Sequence, residues 1–278
     1  MNKIIIFSYF LLATNKLIAC CGQEEISFFP STNSIIRNGI IVINLPNSLG
    51  YKIESLHLLS WKAINSDGKV YELKSRIIGA GRTSQVILTH KGYFKLNDTL
   101  EIHFEYNNQK DINENNYSGG IVNKIAAPEI RIETSSLNQL AKALENRKWG
   151  VNKIIDIYFP HWHNDTLEYS IHDHSSSSTH GYSIIFRPKV RDKVSKKSNY
   201  SDSAICLFEV SHNGQKIICF DNICKIGYSI CGSNMSFPNN IKCEFTIKCL
   251  DYAGNYNSKE INSKVFTTVL PNEIIIEN

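Results

Sequence analysis

Five of the nine histidines lie between positions 161 and 180. His161 and His163 flank Trp162, and His172 and His174 flank Asp173, so each pair is spaced i, i+2. In an extended strand such residues point to the same side. If the chain folds back around Asn164 to Leu167, four imidazoles could converge, the donor set of a Zn²⁺ or Cu²⁺ site. Asp156, Asp165, Asp173 and His180 are further ligand candidates. Against a metal stand Pro160 and the serine run Ser175 to Ser178, which mark loops where polar histidines are ordinary. The loop reading is preferred and no cofactor is expected, with zinc or copper on the histidines as the alternative.

Cysteine is the second reactive type. Beyond Cys20 and Cys21, six cysteines fall in the C-terminal half: Cys206, Cys219, Cys224, Cys231, Cys243 and Cys249. An even, clustered set in an exported chain reads as three disulfides. Zinc would want two close Cys-x-x-Cys pairs, and none exists. Cys243 and Cys249 sit six residues apart in one expected strand, about 20 Å at 3.3 Å per residue. They cannot pair with each other, because a disulfide needs Cα atoms within about 7 Å. Each is therefore expected to reach one of the other four, and the connectivity stays open.

Other catalytic signatures are missing. The chain has no Gly-x-Ser-x-Gly elbow, no His-Glu-x-x-His pair and no phosphate loop. An enzyme is disfavoured. The basic stretch Arg187 to Lys197 reads as a solvated loop, with an anionic surface as its sharper alternative. Tyr158, Trp162 and Tyr169 could stack on a sugar ring, although aromatics at strand spacing are more often core. The net charge of +4 is spread along the chain, and no nucleic-acid partner is expected.

Positioning these residues requires export first. Met1-Asn2-Lys3 supplies a positive start, and Ile4 to Thr14 is apolar but too short to span a bilayer. It reads as a signal peptide over residues 1–20. Leu17-Ile18-Ala19-Cys20 resembles the bacterial lipobox, which implies lipidation at Cys20, a membrane partner through that anchor and a place in the cell envelope, periplasmic or surface-exposed. Asn15-Lys16 just before the box departs from that pattern. Residues 21–27 are a tether, and Cys21 is left over.

The remainder of the 278 residues patterns as short strands joined by polar turns. A first module is expected over residues 28–106, with strands at Ile40–Leu45, Ile53–Trp61, Val70–Ile78, Ser84–His90 and Thr99–Tyr106. Pro30, Asn38, Val86-Ile87-Leu88 and the run Leu96-Asn97-Asp98-Thr99-Leu100-Glu101-Ile102 resemble a bacterial immunoglobulin-like domain of the surface-layer type. That resemblance implies a spacer or presentation role.

Asn107 to Gly120 is polar and Gly-ended, and a linker is expected over residues 107–125. A second module is expected over residues 126–272. Ser136-Leu137-Asn138-Gln139 matches a capping box, with Leu137, Leu140, Ala141 and Leu144 at helical spacing and Gly150 past the end. Strands are expected at Pro128–Glu133, Lys153–Phe159, Thr166–Ile171, Tyr182–Arg187, Ala204–Val210, Lys216–Phe220, Lys242–Leu250 and Lys264–Leu270. His212-Asn213-Gly214-Gln215 is a hairpin turn. Asp251-Tyr252-Ala253-Gly254-Asn255 resembles the Asp-x-Ala-Gly-Asn turn of bacterial fibronectin-III-like repeats, with Asp251 and Asn255 holding the turn and Gly254 supplying positive φ.

The expected fold is thus all-β: two immunoglobulin-like sandwiches, the second disulfide-stapled and carrying one short helix. The expected role is that of an envelope lipoprotein serving as a binding, presentation or spacer module toward a protein or glycan partner. The alternatives are a metal-binding envelope protein using His161, His163, His172 and His174, and a glycan-binding lipoprotein.

Overall fold

The computed structural model describes residues 25–81, 83–107, 131–152, 161–173, 182–191, 206–219, 224–227, 235, 242–256 and 263–269. Over these residues the protein is all-β, with few helices.

The first body opens with β1 (Ser27–Phe29), β2 (Ser34–Ile36) and β3 (Ile41–Pro46). A single helical turn, α1 (Ile53–Leu56), precedes β4 (Leu59–Asn65), β5 (Val70–Ala80), β6 (Thr83–Thr89) and β7 (Thr99–Tyr106). Then come α2 (Thr134–Glu145) and β8 (Trp149–Asn152). The strand order is β1-β3-β6-β5-β4-β7-β8-β2. Every ladder is antiparallel except β2 with β8.

The long strand β5 divides its partners. Its start, Val70 to Leu73, pairs with β4, and Lys74 to Ala80 pairs with β6. Ile41, Ile43 and Val86 on one flank thereby meet Trp61, Ile102 and Trp149 on the other in one buried core.

Thr134 to Asn152 was expected in the second module but completes the first. Leu140, Leu144, Trp149 and Val151 are buried in its core. Trp149 pairs with Leu100, and Gly150 lies between Thr99 and Ser34. An amphipathic helix must bury its apolar stripe somewhere, and the end of this core accepts it.

The helix boundaries also differ from the capping-box reading. Glu133 occupies the N-cap position and Asn146 the C-cap, and neither Ser136 nor Gly150 plays the expected part. Ser136 is buried in the first turn and donates to the Leu49 carbonyl at 2.5 Å. The expected strand Ile53–Trp61 resolves into α1 followed by β4. The linker and the expected strands Pro128–Glu133 and Lys153–Phe159 lie wholly or largely outside the described residues.

The second body has two sheets. One contains β9 (His161–Asp173), β10 (Tyr182–Arg191) and a short strand Cys224–Gly227 in the order short strand-β10-β9. The other contains β11 (Cys206–His212), β12 (Gln215–Cys219), the short strand being β13, then β14 (Lys242–Asp251) and β15 (Ser263–Val269), in the order β12-β11-β14-β15. Ile184, Phe186 and Ile226 of the first face Phe208, Val210, Phe245 and Ile247 of the second. The Phe186 and Phe245 rings pack edge to face at 5.6 Å. The expected hairpin is present: Asn213 and Gly214 both have positive φ, and His212 lies opposite Gln215.

Candidate functional site

The register of β9 fixes where two of the histidines fall. His161 lies opposite Arg191 and His172 opposite Ser183. Those partners are eight positions apart on β10, about 26 Å at 3.3 Å per residue. The ladder therefore keeps His161 and His172 apart instead of folding them into one site. The irregularity falls near the expected fold-back, where Trp162 to Leu167 lies opposite only Val190 to Pro188. His163 and Asp165 fall in that stretch. His174, His180, Asp156 and Tyr158 lie outside the described residues. No three metal-donor side chains converge among the residues whose side chains are described, a set that does not include His161, His163, Asp165, His172 or Asp173. Tyr169 is half-exposed and packs on Phe266 with centroids 4.5 Å apart. Arg187, at the start of the basic stretch, is exposed and donates to the Ser170 hydroxyl at 2.9 Å.

The cysteines depart from the three-bridge expectation. Cys219 is disulfide-bonded. Cys243 and Cys249 are buried thiols on the inward side of β14, beside Phe245 and Ile247. Burial pushes the Cys243 thiol above its ordinary pKa. Register keeps Cys249 from bridging Cys219. Phe208 lies opposite both Cys219 and Cys249, one on each side. Two strand spacings make about 10 Å, beyond the reach of a disulfide.

The most developed polar geometry lies where the two bodies meet. Strand β3 is buried on both sides: Ile41 and Ile43 face the first core, while Val42, with Ile40 just before the strand, joins Phe29, Ile78 and Ile87 against Leu207, Ile218 and Leu250 of the second body. Gln85 sits within this apolar patch with 2% exposure. Its carboxamide oxygen accepts from the Ile218 N–H at 2.7 Å, and its nitrogen donates to the Ile218 carbonyl at 3.0 Å. The side chain thus stands in for a neighbouring peptide group, satisfying both backbone atoms where water is excluded. The Asn44 side chain accepts a further bond from Gln85 at 2.6 Å.

At the rim, Arg76 of β5 reaches Glu209 of β11 at 3.1 Å, and Glu209 is 3% exposed. The Tyr256 hydroxyl donates to Glu209 at 2.6 Å and accepts from Arg76 at 3.0 Å. Burial, with the hydrogen bond to Glu209, pushes Tyr256 up to about 12. The third contact is the Asp-x-Ala-Gly-Asn turn. Asp251 accepts from the Ala253 and Asn255 N–H groups at 2.9 and 2.8 Å, and Gly254 has φ +81°. The turn presents the Tyr252 carbonyl to the Ile40 N–H at 2.9 Å, and the Tyr252 ring packs on Phe29. A Cβ on Gly254 would stand 2.8 Å from Ile40, so both φ and the close approach require glycine.

Sequence reasoning found this turn as a fold motif and missed its docking role. It also missed Arg76, Gln85, Glu209 and Tyr256. The legible signal was Gln85, a polar residue at the start of an otherwise apolar run through Leu88, since a carboxamide is buried only with partners. No protein-family model matches the chain, and no curated protein matches it in sequence.

Proposed function

We propose that the chain is an envelope lipoprotein, attached to the membrane through Cys20, that serves as a rigid presentation or spacer module built of two immunoglobulin-like sandwiches. The observation that carries this reading is the buried junction. A flexible linker lets two modules sample many separations, whereas an apolar patch clamped by Gln85 and by the Arg76–Glu209–Tyr256 group holds them in one arrangement. A spacer that keeps a surface at a set place above a membrane needs that property. The Asp251–Asn255 turn, with its resemblance to fibronectin-III-like repeats, supports the same reading, and the Cys219 disulfide suits an oxidising compartment.

Detergent phase partitioning tests the attachment. Full-length protein should enter the detergent phase and Cys20→Ala the aqueous phase, because acyl chains at Cys20 supply the membrane affinity. Wild-type protein found only in the aqueous phase would contradict the anchor.

A further inference from the structure

Strand β7 is paired along only one side for most of its length. On its other side β8 reaches Thr99 and Leu100 and stops. From Glu101 to Tyr106 its sole partner among the described strands is β4. Alternate residues of an antiparallel strand direct N–H and C=O away from the paired neighbour. These groups therefore face the space that β8 vacates.

That space is a cleft of about 620 Å³ between β7 and α2. Ile102 and Leu144 form its floor, and Asn138, Ala141, Lys142 and Glu145 form the helical wall. A strand edge facing a helix across a groove admits one extended chain, which bonds to the edge through its backbone while the helix fixes its side chains. Among the described strands, β9 and β15 also lie at the ends of their sheets. Neighbouring charges are already matched, Lys148 with Glu101 at 2.6 Å and Lys62 with Glu105. Lys142 and Glu145, nearly one turn apart on the exposed wall, form no ion pair among the described residues.

We propose that this cleft binds an extended segment of a partner protein, which adds to β7 as a strand in the position β8 leaves open. The segment is about five residues long, to match Ile102–Tyr106. It carries an apolar side chain over Ile102 and Leu144, with an acidic and a basic side chain to meet Lys142 and Glu145. The proposal gives the presentation module its partner class and rests on that reading. Its test involves no membrane, so the two can fail separately.

The probe is the synthetic peptide acetyl-Asp-Val-Thr-Val-Lys-Val-Thr-amide at about 1 mM, a concentration suited to weak binding. The readout is amide hydrogen exchange on the intact soluble protein. Exchange of alternate amides within Glu101–Tyr106 should slow about tenfold, as new backbone bonds form. A version of the peptide N-methylated at alternate residues should give no slowing. Ala141→Arg fills the groove from an exposed position and should abolish the effect. Lys142→Glu, which leaves the groove open, should weaken it about threefold, as an exposed pair would. No slowing, equal slowing at β9 and β15, or binding that survives Ala141→Arg in a folded protein would overturn the proposal. So would a dimer in sedimentation that Ala141→Arg splits, because the cleft would then be filled by a second copy.

Discussion

Gln85 shows how one side chain can decide whether two apolar surfaces fit. Apolar contact alone would leave the Ile218 N–H and C=O buried without partners, and each such group costs about 1–3 kcal/mol. Gln85→Leu keeps the size and apolar character while removing both bonds. It should cost about 2–4 kcal/mol in denaturant unfolding, well above a volume-conserving core change.

Tyr256 gives a pH test of the same junction. Its folded pKa is raised from 10.0 to about 12, chiefly by burial. A raised folded pKa stabilises the fold fully below pH 10, and that contribution is lost as pH climbs from 10 toward 12. Tyr256→Phe removes this titration, so urea midpoints should fall less steeply over that interval. Tyr51, likewise raised to about 12 by burial, keeps some of the slope in the variant.

Among the elements, α2 and β8 were the hardest to place. The helix was legible from Leu137, Leu140 and Leu144, because a 3.6-residue period survives in any sequence context. Which core it covers was not legible. That depends on the partner strands of Trp149 and Val151, and β8 is only four residues long, too short to show a period. The strands β5, β6 and β7 were read nearly to their ends, since alternation and the flanking turns mark them. Ile53 to Trp61 misled because its apolar residues suit a strand, although Ile53–Leu56 closes a helical turn. The histidine pairs were legible as pairs, but their separation depends on the β9–β10 register, which no local pattern fixes.

The placement of β8 has a direct consequence. Trp149 is fully buried and packs edge to face on Phe28 at 5.9 Å. Trp149→Ala should cost about 3–5 kcal/mol. Amide exchange should rise first in β7, β2 and α2, all in the first body. A rise confined to β9–β15 would place Trp149 with the wrong core.

For the molecule as a whole, the junction decides how the two bodies behave. Two modules joined by a polar linker would unfold independently, whereas a shared apolar patch with satisfied polar groups couples them. Val42, and Ile40 just before β3, belong to this coupling as much as to the first body, because β3 is buried on both faces. Tyr252 ties the Asp251–Asn255 turn to Ile40, at the entry to that strand. Loosening any one contact exposes a patch that both bodies need covered.

Differential scanning calorimetry of the intact protein tests this coupling most directly. The account predicts one transition, with a calorimetric enthalpy about equal to the van't Hoff enthalpy, as a single cooperative unit requires. It further predicts that Gln85→Leu separates the melt into two. Two resolved transitions in the wild-type protein would contradict the account, because the junction would then be a contact between independent modules.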